Sequence, residues 1–224
     1  MLGAEKVAVV AIDGPAGAGK STIARLLAQR LGSDWEFLDT GALFRGVTLA
    51  CLEAGVDLDD EAAVLALAKR LRVEFRRGKL LINKRDRSDD IRRPDVTENV
   101  RRIADMAGVR ELIARWEREM ARGRNVVVEG RDMTSVVFAD AEFKFYLDAT
   151  VEERARRRLK DLQKQGINAT FQQVLEAVVR RDTADTTRKH APLKRVPDAV
   201  YIDSTNLTPQ QVVEKMLSVI RGAR

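Results

Sequence analysis

Apolar runs that suit buried strands alternate along this chain with stretches of helical periodicity. Residues 7–12 and 125–129 are mostly apolar, as expected of strands buried on both faces of a parallel sheet, and residues 143–148 predict a further strand. Shorter runs at 36–39 and 199–203 predict two further strands. Helices are predicted between and after the strands, at 23–31, 42–53, 109–122 and from Pro209 onward. The alternation predicts an α/β fold with a doubly wound, parallel, five-stranded sheet.

Residues 41–103 depart from this alternation after their first helix. A short helix at 61–71 precedes two strand-like segments, 72–76 and 79–83, which flank Arg77-Gly78 and so predict a β-hairpin. A hairpin between helices does not continue a βαβ pattern, so we interpret this segment as an insertion lying on the core. The other features predicted here are a charged loop at 84–93 and a helix at 97–106, separated near Gly108 from the helix at 109–122.

A second excursion, at residues 151–189, reads as a pair of arginine-rich helices. Capping-box sequences at Thr150–Glu153 and Thr170–Gln173 open the two helices. We therefore predict two excursions from the core, an insertion at 41–103 and an arginine-rich helical pair at 151–189 that would act as a lid. The phosphate-binding core domain is then made of residues 1–40, 104–150 and 190–224.

Composition narrows the class of partner. Forty basic and 34 acidic residues among 224 give a net charge of +6, which suits anionic partners. Aromatic residues make up 5% of the chain without an interleaved stacking platform, which argues against nucleic acid. Cys51 and His190 are the sole residues of their types, so a disulfide, a cysteine cluster or a histidine-based triad has little support. Without an apparent signal peptide or an apolar run of about 20 residues, we expect a cytoplasmic protein that does not bind membranes.

The first strand runs into the sequence G-x-x-x-x-G-K-[ST], the phosphate-binding loop. Its glycines let the backbone approach a ligand, so that successive N–H groups and the next helix's N-terminus face an anion. Lys20 would reach the β- and γ-phosphates, and the Ser21 hydroxyl would bind Mg²⁺. A glycine-rich turn that binds nothing is the alternative, but the strand before it and the helix after it favour nucleotide binding. The predicted ATP-binding residues are Gly14, Pro15, Ala16, Gly17, Ala18, Gly19, Lys20, Ser21 and Thr22.

Polar side chains also follow two other strands. Asp39, Thr40 and Arg45 lie where open α/β sheets bind ligands, although a helix cap and a solvated arginine would explain them equally well. Glu129 ends an apolar strand, a position that holds Mg²⁺ or its waters beside a phosphate loop. A plain strand-end carboxylate is the alternative for Glu129.

The arginines that open the lid suggest contact with a moving phosphoryl group. Arg154, Arg157 and Arg158 could neutralise its charge and exclude water if the helix lies over the loop. A solvated basic face, supported by helical pairs with neighbouring acids, is the alternative.

Several motifs together resemble the bacterial-type cytidylate kinases of the nucleoside monophosphate kinase group. They span nearly the whole chain in the family's order, and the most specific are Gly-Arg-Asp-Met at 130–133 and Arg-Asp-x-x-Asp-x-x-Arg at 181–188. The matching segments are residues 12–20, 39–45, 129–133, 136–138, 153–158, 181–188 and 191–193. The resemblance implies transfer of the ATP γ-phosphoryl group to CMP or dCMP with Mg²⁺. It also implies that the insertion at 41–103 is a nucleoside monophosphate-binding domain. We expect the protein to be a monomer.

The resemblance also implies roles for individual residues. Lys20, Arg131, Arg154 and Arg158 would be catalytic, the last two as lid arginines on the transferring group. Ser21 and Glu129 would hold the metal, the latter through water. The acceptor site would be formed by Thr40, by Arg45, Arg131 and Arg188 around the monophosphate, by Arg110 and Asp132 at the cytosine, and by Arg181 and Asp185 at the sugar.

Some positions depart from the family pattern. Thr40 stands in place of serine, Thr134-Ser135 in place of Gly-Thr, and Arg101 in place of a small hydroxyl residue near the base. Other function classes stay open on the residues alone. They are a phosphate-loop kinase for another monophosphate or small acceptor, and a nucleotide-dependent switch or nucleic-acid-stimulated ATPase.

Overall fold

The computed structural model describes residues 7–76, 78–164 and 166–222, and in this part of the chain a five-stranded parallel sheet forms the centre. Its strand order is β2-β6-β1-β7-β8, with helices on both faces, which confirms the predicted doubly wound α/β fold. In chain order the elements are β1 (Val9–Asp13), α1 (Lys20–Leu31), β2 (Trp35–Asp39), α2 (Thr40–Glu53), α3 (Glu61–Ala68), β3 (Val73–Arg76), β4 (Lys79–Ile82), β5 (Arg85–Asp86), α4 (Pro94–Ala104), α5 (Ala107–Ala121), β6 (Asn125–Gly130), β7 (Phe143–Asp148), α6 (Val151–Lys164), α7 (Phe171–Thr187), β8 (Val200–Asp203) and α8 (Pro209–Gly222).

The register of the parallel sheet brings polar strand ends together. Asp39 at the end of β2 is paired with Glu129 of β6, and Asp13 at the end of β1 is paired with Gly130 of β6 and Tyr146 of β7. The strand order reverses at β1: β2 and β6 lie on one side of it, and β7 and β8 lie on the other. Ligands of open α/β sheets bind at such a switch point, beyond the carboxyl ends of the strands.

Apolar side chains cover both faces of the sheet. On one face α1 and α8 pack through residues such as Leu27 and Met216 onto Ile12 and Phe145. On the other face Ala121 of α5 and a π-helical turn at Met133–Val137 cover Val128. The central strands β1 and β6 are apolar and almost fully buried, as their sequences predicted, whereas the outer strands β2 and β8 also carry exposed residues.

The insertion differs from the expected hairpin by an additional strand. Within the described residues β3, β4 and β5 form a three-stranded antiparallel sheet, and β5 lies in the stretch expected to be a charged loop. Asn83 and Lys84 have φ values of 50° and 68°, the positive values that a two-residue type I′ turn requires. Of the predicted turn Arg77-Gly78, Arg77 lies outside the described residues.

The helices before β6 begin earlier than expected. Pro94 occupies the first position of α4, where its missing N–H costs nothing, so the helix starts ahead of residue 97. Gly108 lies inside the first turn of α5 instead of separating two helices. Its N–H donates to Glu61 Oε1 of α3 at 2.8 Å, which supplies the cap that α5 does not carry itself.

The second excursion is a pair of packed helices, as predicted. Ala155 of α6 packs against Val174 and Val178 of α7. The capping box Thr170–Gln173 is complete, whereas that of Thr150–Glu153 is half made. Glu153 N–H donates to Thr150 Oγ1, but Thr150 N–H donates to Thr205 and the Glu153 carboxylate binds Arg157.

The division into core, insertion and lid stays a prediction. The buried side chains of the insertion are continuous with those of α5, since Leu43 and Leu80 share one cluster with Val109 and Ile113. In the part of the chain that the structure describes, we find no helix with the length and apolarity needed to cross a bilayer.

Candidate active site

The phosphate-binding loop connects β1 to α1 in a conformation that depends on glycine. Gly14 and Gly17 have φ values of 151° and 79°, which L side chains rarely adopt. A Cβ on Gly14 would lie 1.9 Å from the Leu147 carbonyl oxygen, and one on Gly17 would lie 3.1 Å from Arg154 Cβ. The loop is therefore packed closely against β7 and α6, with the N-terminus of α1 facing its interior side.

Lys20 lies buried at the start of α1. Its side chain is 5% exposed, and Nζ donates to the Pro15 carbonyl at 2.8 Å. Burial lowers the pKa of Lys20 to about 7, assisted by the charge of Arg131 and opposed by that of Glu129. Because an anion in the loop would favour the charged ammonium, this lysine suits a phosphate ligand.

Ser21 and Glu129 meet beside the loop. The Ser21 hydroxyl donates to Glu129 Oε1 at 2.6 Å. Among the described residues we find no group of three or more His, Cys, Asp or Glu side chains that could hold a metal by itself. One carboxylate and one hydroxyl are hard oxygen donors, and they fit Mg²⁺, which keeps several waters and takes its other ligands from substrate phosphates.

Arginines from different elements converge on the same place. Arg45 on α2 has a lowered pKa, first from burial and also from the nearby charge of Arg158 on α6. The pKa of Arg181 on α7 is lowered to about 10, first by loss of solvation and then by Arg131, Arg45 and Arg158. Arg131 and Arg181 also act on Lys20. Such a cluster of mutually repelling cations suits a multiply charged anion.

Arg131 is oriented by an acid from α7. Its Nε donates to Asp185 Oδ2 at 2.8 Å. Burial alone would raise the pKa of Asp185, but Arg131 and the nearby Arg181 and Arg188 outweigh it, and the pKa is lowered. Asp185 therefore stays ionised, and it holds Arg131 at the end of β6.

Arg110, Asp132 and Arg188 form a further buried group. Arg110 Nη2 donates to Asp132 Oδ2 at 2.5 Å, and its Nη1 donates to the Ala104 carbonyl at 2.9 Å. The same guanidinium lies over the ring of Phe44, 5.5 Å from its centroid. Arg188 Nη2 is 3.6 Å from Asp132 Oδ1 and has no hydrogen-bond partner within the described residues. A ligand could therefore meet the Asp132 carboxylate and Arg188 Nη2, which has no other partner within the described residues.

Asp13 is a residue that the sequence analysis missed. Its buried carboxylate accepts from Met133 N–H at 2.9 Å, from Thr134 N–H at 2.7 Å and from the Thr134 hydroxyl at 2.6 Å. Asp13 thereby fixes the start of the π-helical turn directly after Asp132. The hydrogen bond from the Thr134 hydroxyl would be absent with the glycine that the family pattern has at this position. The one sequence signal was an acid at the end of β1, immediately before the first loop glycine.

The lid arginines differ in what they contact. Arg154 is 4% exposed and donates to Ala149 O and Ala16 O, both at 3.0 Å, while its Nη2 lies 2.6 Å from Asp182 Oδ2. Arg157 donates to Ala18 O at 3.3 Å and to Ser204 O at 2.7 Å. The sequence analysis assigned no role to Asp182, which is part of the motif at 181–188, or to Ser204, because each contacts its partner from a distant segment.

The predicted catalytic contact of Arg154 stays a prediction, because its guanidinium faces the loop backbone and Asp182 here. Arg158 is exposed on the same helix and acts electrostatically on Arg45 and Arg181. The structure therefore places Arg158 towards the cation cluster and Arg154 beneath the phosphate loop.

The segment after β2 both caps helix α2 and contacts residues of the candidate site. Asp39 accepts from Ala42 N–H at 3.1 Å and so caps α2, while buried Thr40 donates to the Glu129 carbonyl at 2.7 Å. Arg45 donates to Thr97 Oγ1 at 2.9 Å. Arg101 is exposed and lies 3.6 Å from Asp105, one turn further along α4.

Comparisons with known proteins agree with these motifs. The family model for cytidylate kinase matches residues 10–222. A cytidylate kinase of Clostridioides difficile is 41% identical over 212 residues, covering 95% of this chain and 97% of the relative. One from Geobacter sulfurreducens is 45% identical over 217 residues, covering 95% and 92%.

Among solved structures, an uncharacterised protein from Eubacterium ventriosum is similar in fold alone, with a TM-score of 0.53 and 9% identity over 96% of this chain and 98% of that one. The relatives found by sequence support a stronger conclusion than this structure does, because each alignment covers nearly the whole length of both proteins. This chain, with its phosphate loop, its Gly-Arg-Asp-Met turn and its arginine-rich helix α6, belongs to the cytidylate kinase family.

Proposed function

We propose that this protein transfers the γ-phosphoryl group of ATP to CMP or dCMP, forming ADP and CDP or dCDP. The proposal rests mainly on a group of cations that interact electrostatically with one another. They are Lys20, Arg45, Arg131, Arg158 and Arg181. These cations come from different elements and surround the carboxyl ends of the parallel strands. A reaction between two phosphorylated substrates needs this neutralisation, because the substrates repel each other.

On the donor side, the loop N–H groups and Lys20 bind the β- and γ-phosphates. Ser21 and Glu129 hold Mg²⁺, which when bound neutralises charge on the phosphate oxygens. Arg154 and Arg157 keep α6 on the loop through Ala16 and Ala18, which fixes the lid beside the donor site. Lid contacts of this kind exclude water, whose attack would waste ATP.

On the acceptor side, the monophosphate is bound by Arg45, Arg131 and Arg188. Arg188 Nη2 is available for it, since it has no hydrogen-bond partner within the described residues. Asp132 accepts from the cytosine amino group with Arg110 beside it, and Arg181 with Asp185 contacts the sugar. Thr40 fixes the end of β6 at the edge of this site through the Glu129 carbonyl.

Transfer needs little proton chemistry from the protein. A phosphate oxygen of the acceptor is ionised at neutral pH, so it attacks the γ-phosphorus without a general base. The bond between that phosphorus and the β,γ-bridging oxygen breaks, and ADP leaves with the electron pair. Lys20, Arg131 and Arg158 stabilise the charge as it moves from one side to the other.

We also propose that the protein works in the cytoplasm as a monomer on small nucleotides, without nucleic acid or membrane partners. The cations that interact from different elements of the described structure support small anionic substrates.

Initial rates of ADP formation with ATP, Mg²⁺ and each ribo- and deoxyribonucleoside monophosphate test the proposed function. We expect CMP and dCMP to give the highest kcat/KM. A preference for another monophosphate or an uncharged acceptor would contradict the proposed substrate. ATP hydrolysis that is stimulated by RNA or DNA and independent of any monophosphate would contradict the reaction class.

A further inference from the structure

The π-helical turn at Met133–Val137 is bonded back to Asp132, the proposed contact of the acceptor base. Val136 N–H and Val137 N–H both donate to the Asp132 carbonyl, at 2.9 and 3.1 Å. The position of Asp132 therefore depends on how the last two residues of the turn are held. These two residues belong to the motif segment 136–138, to which the proposed function gives no role.

Arg118 on α5 holds these two residues from outside the turn. Its Nε donates to the Val137 carbonyl at 2.8 Å, and its Nη2 donates to the Val136 carbonyl at 3.0 Å. Both donors belong to one rigid, planar guanidinium, so the pair of hydrogen bonds fixes the direction of the carbonyls as well as their distance. The contact spans sequence separations of 19 and 18 residues, and it therefore depends on the packing of α5 beside the turn.

The hydrogen bonds from Arg118 to Asp132 are continuous. Each of the two valines accepts from Arg118 through its carbonyl and donates to Asp132 through its N–H. The same helix reaches the side chain of Asp132 by another route, because Arg110 Nη2 donates to Asp132 Oδ2 at 2.5 Å. Helix α5 thus holds both the backbone and the carboxylate of Asp132.

The start of the turn is held separately. Asp13 of β1 accepts from Met133 N–H and from Thr134 N–H, so Asp13 and Arg118 act at opposite ends of the turn. Asp13 is fully buried, whereas Arg118 is exposed. Water can therefore replace the Arg118 donors at the two carbonyls, and loss of Arg118 should loosen the end of the turn without unfolding the protein.

We propose that Arg118 is a positioning residue for recognition of the acceptor base. Its guanidinium fixes the end of the turn, the turn fixes the Asp132 carbonyl, and the Asp132 carboxylate is thereby held where a cytosine amino group donates. The role requires no contact between Arg118 and either nucleotide. This inference rests on the proposed function, since it assumes that Asp132 accepts from the base.

The test compares kcat/KM for CMP and for UMP, at saturating ATP, in the natural protein and in Arg118→Met. Methionine keeps an unbranched side chain but has no N–H donor. We expect kcat/KM for CMP to fall about 5- to 10-fold, the effect of one weakened hydrogen bond at the base. The fall should come mainly from a higher KM for CMP, because the contact exists both before and during transfer. The values for UMP and the KM for ATP should change little.

Arg115→Met is the matched control, because Arg115 is also an exposed arginine of α5. It should keep the natural ratio of kcat/KM for CMP and UMP. Arg118→Lys should give a ratio between those of the natural protein and Arg118→Met, since an ammonium can bind one carbonyl where the guanidinium binds two. An unchanged ratio in Arg118→Met, or in Arg118→Lys if Arg118→Met does not fold, overturns the inference.

A double variant distinguishes positioning of Asp132 from a general effect on the fold. In Asp132→Ala the carboxylate is absent, so adding Arg118→Met should leave the CMP/UMP ratio close to that of Asp132→Ala alone. If the two substitutions instead narrow the ratio independently, Arg118 does not act through Asp132 and the inference is overturned.

Failure of the proposed function would look different. If CMP is not the preferred acceptor, or if Asp132→Ala leaves the CMP/UMP ratio unchanged, the contact between Asp132 and the base is wrong, and the inference falls with it. If Asp132→Ala narrows the ratio and Arg118→Met does not, the role of Arg118 alone is wrong.

Discussion

Lys20 is the residue on which the proposed transfer depends most directly. We expect Lys20→Ala to lower kcat by at least about 10²–10³, because an ammonium aimed at the developing charge is removed. The fold should persist, since the substitution takes away a buried and poorly solvated ammonium group. Steady-state rates and circular dichroism measure both effects.

Lys79→Ala is the control for Lys20→Ala, because Lys79 forms an exposed ion pair with Asp86 on the small sheet. It should keep the natural kcat. A folded Lys20→Ala protein with near-natural kcat would refute the assignment of the phosphate loop.

Asp132 discriminates between bases if its carboxylate accepts from the cytosine amino group, since uracil presents an acceptor there. Asp132→Ala should lower kcat/KM for CMP far more than for UMP. An unmatched buried polar group costs about 1–3 kcal/mol, so the CMP/UMP ratio should narrow by about 5- to 150-fold. Rates with both acceptors, for the natural protein and the variant, give the ratio.

The alternative is that Asp132 merely orients its arginine neighbours, and the structure gives it such partners in Arg110 and Arg188. In that case both acceptors would suffer alike. An unchanged ratio of kcat/KM for CMP and UMP would indicate that Arg110, and not Asp132, recognises the base.

The sequence could not reveal every residue that matters at this scale. The assignment of Lys20 and Ser21 to a nucleotide site follows from one continuous motif, and their individual roles stay predictions. Asp13 binds Thr134 across a sequence separation of 121 residues, and Asp182 reaches Arg154 from another helix. Such pairings depend on how elements pack, which local patterns do not encode.

At the scale of the element, α6 presents different arginines to different surroundings. Arg154 and Arg157 contact the phosphate loop, whereas Arg156 lies over the Phe171 ring, 6.0 Å from its centroid. We expect Arg158→Ala to lower kcat by about 10³-fold or more, as for arginines on a transferring phosphoryl group. The Kd of CMP for the free enzyme should change much less.

Arg156→Ala is the matched control, since it removes the same side chain from the other side of the same helix. It should leave kcat close to the natural value. Weaker binding of CMP with an intact kcat in Arg158→Ala would place Arg158 in the acceptor site instead.

Elements with long, regular patterns were predictable, and short or tertiary ones were not. The central strands β1 and β6 are continuous apolar runs, and this identified them. By contrast, β5 has two residues and follows an Asn-Lys turn without glycine, so its sequence resembles a charged loop. The half-made capping box at Thr150 depends on Thr205, a contact from the far end of the chain.

At the scale of the whole molecule, the cation cluster makes stability depend on ligands. The free protein holds like charges together, and phosphates relieve their repulsion. Saturation with CMP at about 100 times its Kd should contribute about 2.7 kcal/mol, which corresponds to a rise in Tm of about 5–11 °C for a chain of this size. Differential scanning fluorimetry measures the shift.

Cytidine is the matched ligand, because it has the base and sugar but no phosphate. At the same concentration it should shift Tm far less than CMP does. Equal shifts would show that the arginines contribute little to acceptor binding, contrary to the proposed role of the cluster.

Asp13 has a consequence for grafting the turn of one relative onto another. The residue ends the strand that leads into Gly14, and its carboxylate also holds the turn that follows Asp132. If the loop and the turn form the donor and acceptor sites as proposed, Asp13 supports both of them. A transplanted turn must therefore bring a backbone and a residue at 134 that suit the host's Asp13, or the graft disturbs both sites at once.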